Sequence, residues 1–280
     1  MTIKNTIPEE MIASQVALAL QEDVGQLDLT ADLIPIKTQA IATIITREKA
    51  ILSGQAWCNQ VFQQLDPNIT IEWFFSDGDR LDENDVLCKL TGSARTLLTG
   101  ERTAMNFIQT LSATATHVNA YVEEISGLAT DILDTRKTIP GLRLAQKYAV
   151  LCGGGVNHRI GLYDGILIKE NHINAAGSIA AAVEHARQYH AGIDIEVEVE
   201  NFTELKQALA AQADIILLDN FEPDDLIKAV ELNQKQAKLE ASGGINLNTV
   251  RAIAETGVDR ISIGALTKDI KAVDLSMRFL

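Results

Sequence analysis

The chain is poor in proline, has no two cysteines close together and carries no long apolar run, and each scarcity removes a class of protein. With five prolines and no stretch rich in Gly, Pro or Ser, no flexible or low-complexity linker divides it. Cys58, Cys88 and Cys152 are odd in number, far apart and without C-x-x-C spacing, which argues against a disulfide framework or a zinc site. No run reaches the roughly 18 apolar residues of a membrane span. The opening "MTIKNTIPEEMIASQVALALQED" lacks the basic and apolar regions of a secretory leader. The expectation is a cytoplasmic protein with no membrane partner. Positive charge is also scarce: 24 Lys and Arg against 38 Asp and Glu give a net charge of −14. Such a surface repels nucleic acid at long range, so any bound anion must be drawn by local cations.

What remains is a globular chain of 280 residues, 46% hydrophobic, enough for one large or two medium domains. Up to about residue 115 the pattern is mixed. It predicts a helix near 8–22, a strand "IATIITRE", a helix near 55–65, a strand "ITIEWFF" and a long helix from about Ala94 to Ile125. From residue 130 short apolar strands alternate strictly with helices: "ATDILDT", "YDGILIKE", "IDIEVEVEN", "ADIILLDN", "AKLEASGG" and "VDRISIGA". Six such units predict parallel pairing with right-handed crossovers. Six strands are fewer than the eight of a closed barrel, so the expected fold class is α/β with an open or incomplete (β/α) barrel. The expected domains are 1–115, joined by the final segment 266–280, and a barrel over 116–265.

The scarce cations are concentrated. Between Asp134 and His172 stand six of them, Arg136, Lys137, Arg143, Lys147, Arg159 and Lys169, against three acids. Arg143 and Lys147, at i, i+4 on a predicted helix, read equally well as a solvated face. Arg136, Lys137 and Lys169 instead follow apolar strands. Barrel chemistry sits at the carboxyl ends of strands, and every predicted strand here ends in something polar or in glycine. In "IEVEVEN" the period of two puts Glu196, Glu198 and Glu200 on one face, a solvated edge or a barrel interior. With Asp219 they offer hard oxygen ligands suited to magnesium. "SGGI" (Ser242, Gly243, Gly244) and "SIGAL" (Ile263, Gly264, Ala265) each follow a strand and precede a predicted helix, the arrangement of a phosphate site. "CGGG" at 152–155 lacks dinucleotide spacing and reads as a helix stop.

The stretches "LDTRKTIPGLRLAQKYAVLCGGGVNHRIGLYDGILIKENHI", "EVEVEN", "ILLDNF", "EASGGI" and "ISIGALT" resemble, in order, the quinolinate phosphoribosyltransferases, the carboxylating nicotinate-nucleotide pyrophosphorylases of de novo NAD synthesis. The resemblance runs from about Pro8 to the C-terminus. Ile139 and Val156 depart from residues common in the family, at positions not expected to touch substrate. It implies an N-terminal α/β sandwich, an open α/β barrel, and a homodimer whose N-terminal domain covers the partner's barrel mouth. It also implies residue roles. Arg136, His158 and Arg159, with Arg102 from the other subunit, clamp the two carboxylates of quinolinate. Lys137 and Lys169 hold carboxylate or pyrophosphate. Glu198 and Asp219 hold ribose hydroxyls and Mg2+, and Thr135 joins the substrate set. The loops Ser242–Gly244 and Ile263–Ala265 take the 5′-phosphate of phosphoribosyl pyrophosphate.

Three rivals stand beside this reading. A phosphoribosyltransferase for another acid, as in the molybdenum-operon relatives, would share most of these residues. A Schiff-base aldolase would use Lys169, presented by "GILIK" at a strand end. A non-catalytic binder would hold phosphoribosyl pyrophosphate without turnover.

Overall fold

The computed structural model describes residues 7–280; the first six residues of the stretch read for a leader lie outside them. The chain begins with α1 (Glu9–Val24), β1 (Gln39–Thr46), β2 (Ala50–Ile51) and α2 (Gln55–Leu65). Next come β3 (Thr70–Trp73), β4 (Arg80–Leu81), β5 (Val86–Ser93) and α3 (Ala94–Glu124). The second half opens with β6 (Asp131–Leu133), α4 (Arg143–Cys152), β7 (Ile166–Ile168), α5 (Glu170–Ala176) and α6 (Ile179–Tyr189). It continues with β8 (Ile195–Val199), α7 (Phe202–Ala210), β9 (Ile215–Asp219), α8 (Pro223–Asn233) and β10 (Lys238–Ser242). The last elements are α9 (Val250–Ala254), β11 (Arg260–Ser262), α10 (Ala265–Lys268) and β12 (Leu275–Phe279). None of the described helices is long and apolar enough to cross a membrane.

Two compact units emerge. Among the described residues, the first comprises 7–119, 138–154 and 267–280 and carries an antiparallel sheet in the order β12-β1-β5-β3. Strand β1 alternates, burying Ala42, Ile44 and Thr46 while intervening residues stay partly open, as a one-sided antiparallel strand should. Helix α2 buries Trp57, Cys58, Val61 and Phe62, an apolar stripe with helical spacing. The C-terminal segment pairs with β1, with Phe279 opposite Ala42 and Leu275 opposite Thr46.

The domain boundary read from the sequence differs from this division. Helix α4, assigned there to the barrel, belongs to the first unit, where Ala145, Tyr148, Ala149 and Cys152 join the apolar core. The Tyr148 ring lies 5.8 Å from that of Trp57, and its hydroxyl donates to Asp77 at 2.9 Å. Lys147 is buried, so the solvated-face reading fails for it. Gly153 caps α4 and Gly154 follows at φ +87°, a helix stop. All three cysteines are free and buried, and burial drives the Cys88 and Cys152 thiols up to about 12.

The second unit, residues 120–137 and 155–266, holds the six strands read from the sequence, paired parallel in the order β6-β11-β10-β9-β8-β7. The first strand pairs with the last, and the sheet is open between β6 and β7, an incomplete barrel. Part of that opening is taken by the segment after α4. Val156 forms a parallel bridge with Leu133, its N–H donating to the Ile132 carbonyl at 2.8 Å. One row of the register runs Glu198, Leu217, Glu240, Arg260 and Asp131, neighbour beside neighbour across five strands. Alternation then places Asp219, Ser242 and Ser262 one repeat nearer the carboxyl ends on the same face.

Candidate active site

The site grows from the ends of the strands. After β6 the Lys137 N–H donates to the Thr135 hydroxyl at 3.1 Å, a tight turn that leaves Arg136 half-buried and Lys137 exposed. The Lys137 side chain crosses Gly264 at the end of β11, where an added Cβ would come within 2.8 Å of the lysine Cδ. Glycine at 264 therefore leaves the lysine its path. Beyond β7, His172 Nδ1 accepts the Lys169 backbone N–H at 3.0 Å, fixing the strand-to-helix turn that presents this lysine. Lys169 forms an ion pair with Glu198 on β8.

Asp219 completes a set of four charged groups. Burial and then the Glu198 charge raise its carboxyl above the usual range, while Lys169 and Lys137 pull it back. Two carboxylates this close disfavour each other's ionisation, and a divalent cation relieves that repulsion. The chemistry of this donor set fits magnesium, which Glu198 and Asp219 could hold.

The glycine loops differ from each other. Gly243 (φ +103°) and Gly244 (φ +61°) both adopt left-handed backbone, and a Cβ on Gly243 would fall 2.1 Å from Asn220 Oδ1. Asn220, itself at φ +57°, donates its N–H to the Ser242 carbonyl at 2.9 Å, tying the ends of β9 and β10. Yet residues 245–249 intervene before α9, so the Ser242–Gly244 loop does not open a helix as the sequence suggested. The Ile263–Ala265 turn does, since α10 begins at Ala265.

His158 and Arg159 come from the segment beside β6 and lie deeper. Buried Asp134 accepts the His158 N–H at 2.8 Å. Asp164 closes the same segment by accepting from Ile160 and Gly161, both at 2.8 Å. Burial, and next the neighbouring Arg136 guanidinium, lower the Arg159 pKa from its ordinary value, with Glu196 and Asp164 opposing. His158 Nε2 stands 2.8 Å from Glu196 Oε2 and 3.6 Å from Glu240 Oε1. A cavity of about 530 Å³ reaches His158, Arg159 and Glu196 past Asp194 and Arg260, which stand at the amino ends of β8 and β11.

Of the acidic strand, Glu196 is buried, Glu198 half-buried and Glu200 exposed beyond the end of β8, so the three do not share one environment. Arg102 stands exposed on α3 in the first unit, so the second unit does not contain it. Sequence reasoning gave no individual role to Glu240, Asn220 or His172. For Glu240 a signal existed: one carboxylate between Leu239 and Ala241 in an interior strand needs a partner.

Family models described as quinolinate phosphoribosyl transferase, N-terminal and C-terminal domains, match residues 28–112 and 114–278. A Bacillus subtilis protein named as a probable nicotinate-nucleotide pyrophosphorylase (carboxylating) is 45% identical over 258 residues, 91% of this chain and 89% of its own. The solved nicotinate-nucleotide pyrophosphorylase of Francisella tularensis is 51% identical with a TM-score of 0.97, covering 100% of this chain and 99% of its own. That of Ehrlichia chaffeensis is 36% identical with a TM-score of 0.92, covering 98% and 100%. Family models cover both halves of the chain, and relatives well above 30% identity span nearly all of it: the chain belongs to the quinolinate phosphoribosyl transferase family.

Proposed function

We propose that this enzyme transfers the phosphoribosyl group of phosphoribosyl pyrophosphate to quinolinate and decarboxylates the product, giving nicotinate mononucleotide, pyrophosphate and carbon dioxide. The observation that carries the reading is the pairing of Lys137, Lys169, Glu198 and Asp219 at the carboxyl ends of the strands with Arg136, Arg159 and His158 just beneath. Both substrates are polyanions, and these cations are gathered in a chain that is otherwise strongly acidic.

Each side chain then has a task. Arg136, Arg159 and His158 receive the two carboxylates, for which the planar guanidinium fork suits bidentate pairing. Lys137 and Lys169 face the pyrophosphate as point charges. Glu198 and Asp219 orient ribose hydroxyls and would hold magnesium, which when bound stabilises charge on the departing pyrophosphate. The C1′–oxygen bond breaks with its electron pair leaving on pyrophosphate, and the pyridine nitrogen bonds to C1′. Loss of the 2-carboxylate leaves an electron pair at C2 beside a positive nitrogen, where a proton is then taken up. No residue of the chain need act as a nucleophile, so Lys169, tied to Glu198, serves as a charge and not as a Schiff base.

The assembly we infer is a homodimer in the cytoplasm in which Arg102 of one subunit completes the other's site. Mixing inactive Arg102→Ala and Lys137→Ala homodimers tests it. With full subunit exchange, half the dimers carry one intact site, and roughly a quarter of wild-type activity returns by two-fold logic. Verified exchange without recovery overturns the shared site. For the reaction itself, quinolinate labelled in its 2-carboxyl group should release labelled carbon dioxide in step with pyrophosphate. Turnover with the label retained in the nucleotide, or with nicotinate as the preferred acceptor, overturns this reading in favour of another acid.

A further inference from the structure

The reaction as described uses His158 as a donor to a substrate carboxylate and gives no task to the two glutamates beside it. Glu196 and Glu240 are 4% and 0% exposed, and the histidine side chain is 11% exposed. One atom of each lies within 4.8 Å of the others, so three titratable groups are held together in the barrel interior.

Their contacts decide which protons are present. An ionised carboxylate only accepts hydrogen bonds, so Nε2, at 2.8 Å from Glu196 Oε2, must carry a hydrogen. The histidine tautomer is thereby set. A second proton on the ring is favoured by the anions around it: Glu196 on β8, Glu240 on β10, Asp134, which accepts the backbone N–H of His158 itself, and Asp164 and Asp194, which line the same cavity. Opposing it are Arg159 on the same segment, Arg136 beside that guanidinium, and Arg260 on β11 next to Glu240. The anions make the closer recorded contacts to the imidazole. Glu240 is distinct from its neighbour: burial, then the Glu196 charge, push its carboxyl up to about 7, with His158, Ser262 and Arg260 pulling back. It is therefore a reserve anion that ionises near neutrality.

We propose that Glu196, backed by Glu240, is a positioning residue that holds His158 by Nε2 and keeps it an imidazolium, so that a dicarboxylate substrate meets a cation and not a neutral ring. The proposal rests on the placement of His158 at the substrate given above. The cavity at the amino ends of the strands reaches both His158 and Glu196, which lets the proton equilibrate with solvent without passing through the substrate.

The test reads the ring directly. Full-length protein labelled with 15N-histidine, with the His158 signal assigned by its loss in His158→Gln, should show an imidazolium at pH 7.5. Glu196→Gln should lower the midpoint of that titration by one pH unit or more, and Glu240→Gln by a smaller amount in the same direction. Quinolinate KM should rise tenfold or more in Glu196→Gln, while the KM for phosphoribosyl pyrophosphate changes less than twofold. A neutral ring in the wild type at pH 7.5, or an unmoved titration in Glu196→Gln, overturns the proposal. Should Glu196→Gln fail to fold, an unmoved titration in Glu240→Gln overturns it in the same way. One tightly held zinc or manganese per chain, lost on Glu240→Gln, also overturns it by making the trio a metal site. If the ring titrates as expected yet His158→Gln leaves quinolinate KM unchanged, the charge relation stands and the substrate placement is what fails.

Discussion

The two units bury polar groups in opposite ways. In the first, the buried polar side chains are mostly neutral and locally satisfied. The Ser112 hydroxyl accepts the Ser53 N–H and donates to the Ser53 carbonyl, and Gln146 spans from the Ile139 N–H to the Thr267 carbonyl. In the second, the buried polar residues include three carboxylates, Asp134, Glu196 and Glu240. A buried neutral group costs little once hydrogen-bonded, whereas a buried charge is retained only with partners. The first interior is built for cohesion, and the second holds charge ready for a ligand.

The sharpest way to test this division is to damage each interior in turn. Phe62, 1% exposed on α2, packs so tightly that a Cβ on Gly100 would fall 2.6 Å from its ring. Phe62→Ala should cost about 3–5 kcal/mol of stability in the first unit, the range for a large aromatic truncated in a core. Quinolinate KM, measured below the new melting temperature, should stay within twofold. A large rise in KM with little loss of stability would erase the distinction between the units.

Arg136→Ala is the converse experiment. The melting temperature should hold, while quinolinate affinity falls by about 2–4 kcal/mol, the range for removing one partner of a buried charge pair. Binding measured by calorimetry at fixed ionic strength reads it. Unchanged affinity in folded protein removes Arg136 from the site.

A third break concerns pH. Glu240 holds its proton up to about pH 7 in the folded chain, against an ordinary value of 4.5. Between these values the folded state binds more protons than the unfolded one, so this group's contribution to stability falls as pH rises and is lost above 7. The span corresponds to at most roughly 3 kcal/mol at 1.36 kcal/mol per unit. Glu240→Gln should flatten the profile, so that the variant gains on the wild type between pH 5 and pH 8. A constant gap across that range would mean that Glu240 does not titrate there.

The same contrast explains what the sequence disclosed. The six barrel strands were legible because each is a short apolar run between helices, a signal carried by neighbours along the chain. Strand β5 was not, although it sits between β1 and β3 in the first sheet. It reads "VLCKLTGS", interrupted by Lys89 and Gly92, and a bulge between Ile44 and Ile45 shifts its register against β1. Helix α4 was placed in the wrong unit because its amphipathic face shows that it packs but not against what. The candidate lysines and carboxylates stood out because strand ends concentrate them. Glu240 did not, because its meaning comes from Glu196 and His158, 44 and 82 positions away in the chain.

The smallest expected effect is the most instructive, because sequence periodicity and structure disagree about it. Glu198 and Glu200 share one alternating face by the period of two, which by itself predicts similar roles. The structure ends β8 at Val199, leaving Glu200 exposed, with its backbone N–H donating to Glu204 at 2.9 Å in the turn that starts α7. Asn201 caps that helix, its side chain accepting from Thr203 and Glu204. Glu200 is thus part of a helix entry, whereas Glu198 is paired with Lys169 beside Asp219. Glu198→Gln should depress turnover more than quinolinate affinity, since it acts where the leaving group departs. Glu200→Gln should change stability by less than about 0.5 kcal/mol and turnover by less than about twofold, as exposed substitutions away from special features do. Steady-state kinetics on the two variants side by side decides it. Equal losses would mean that the strand face acts as one charged surface and that the break at Val199 has no functional consequence.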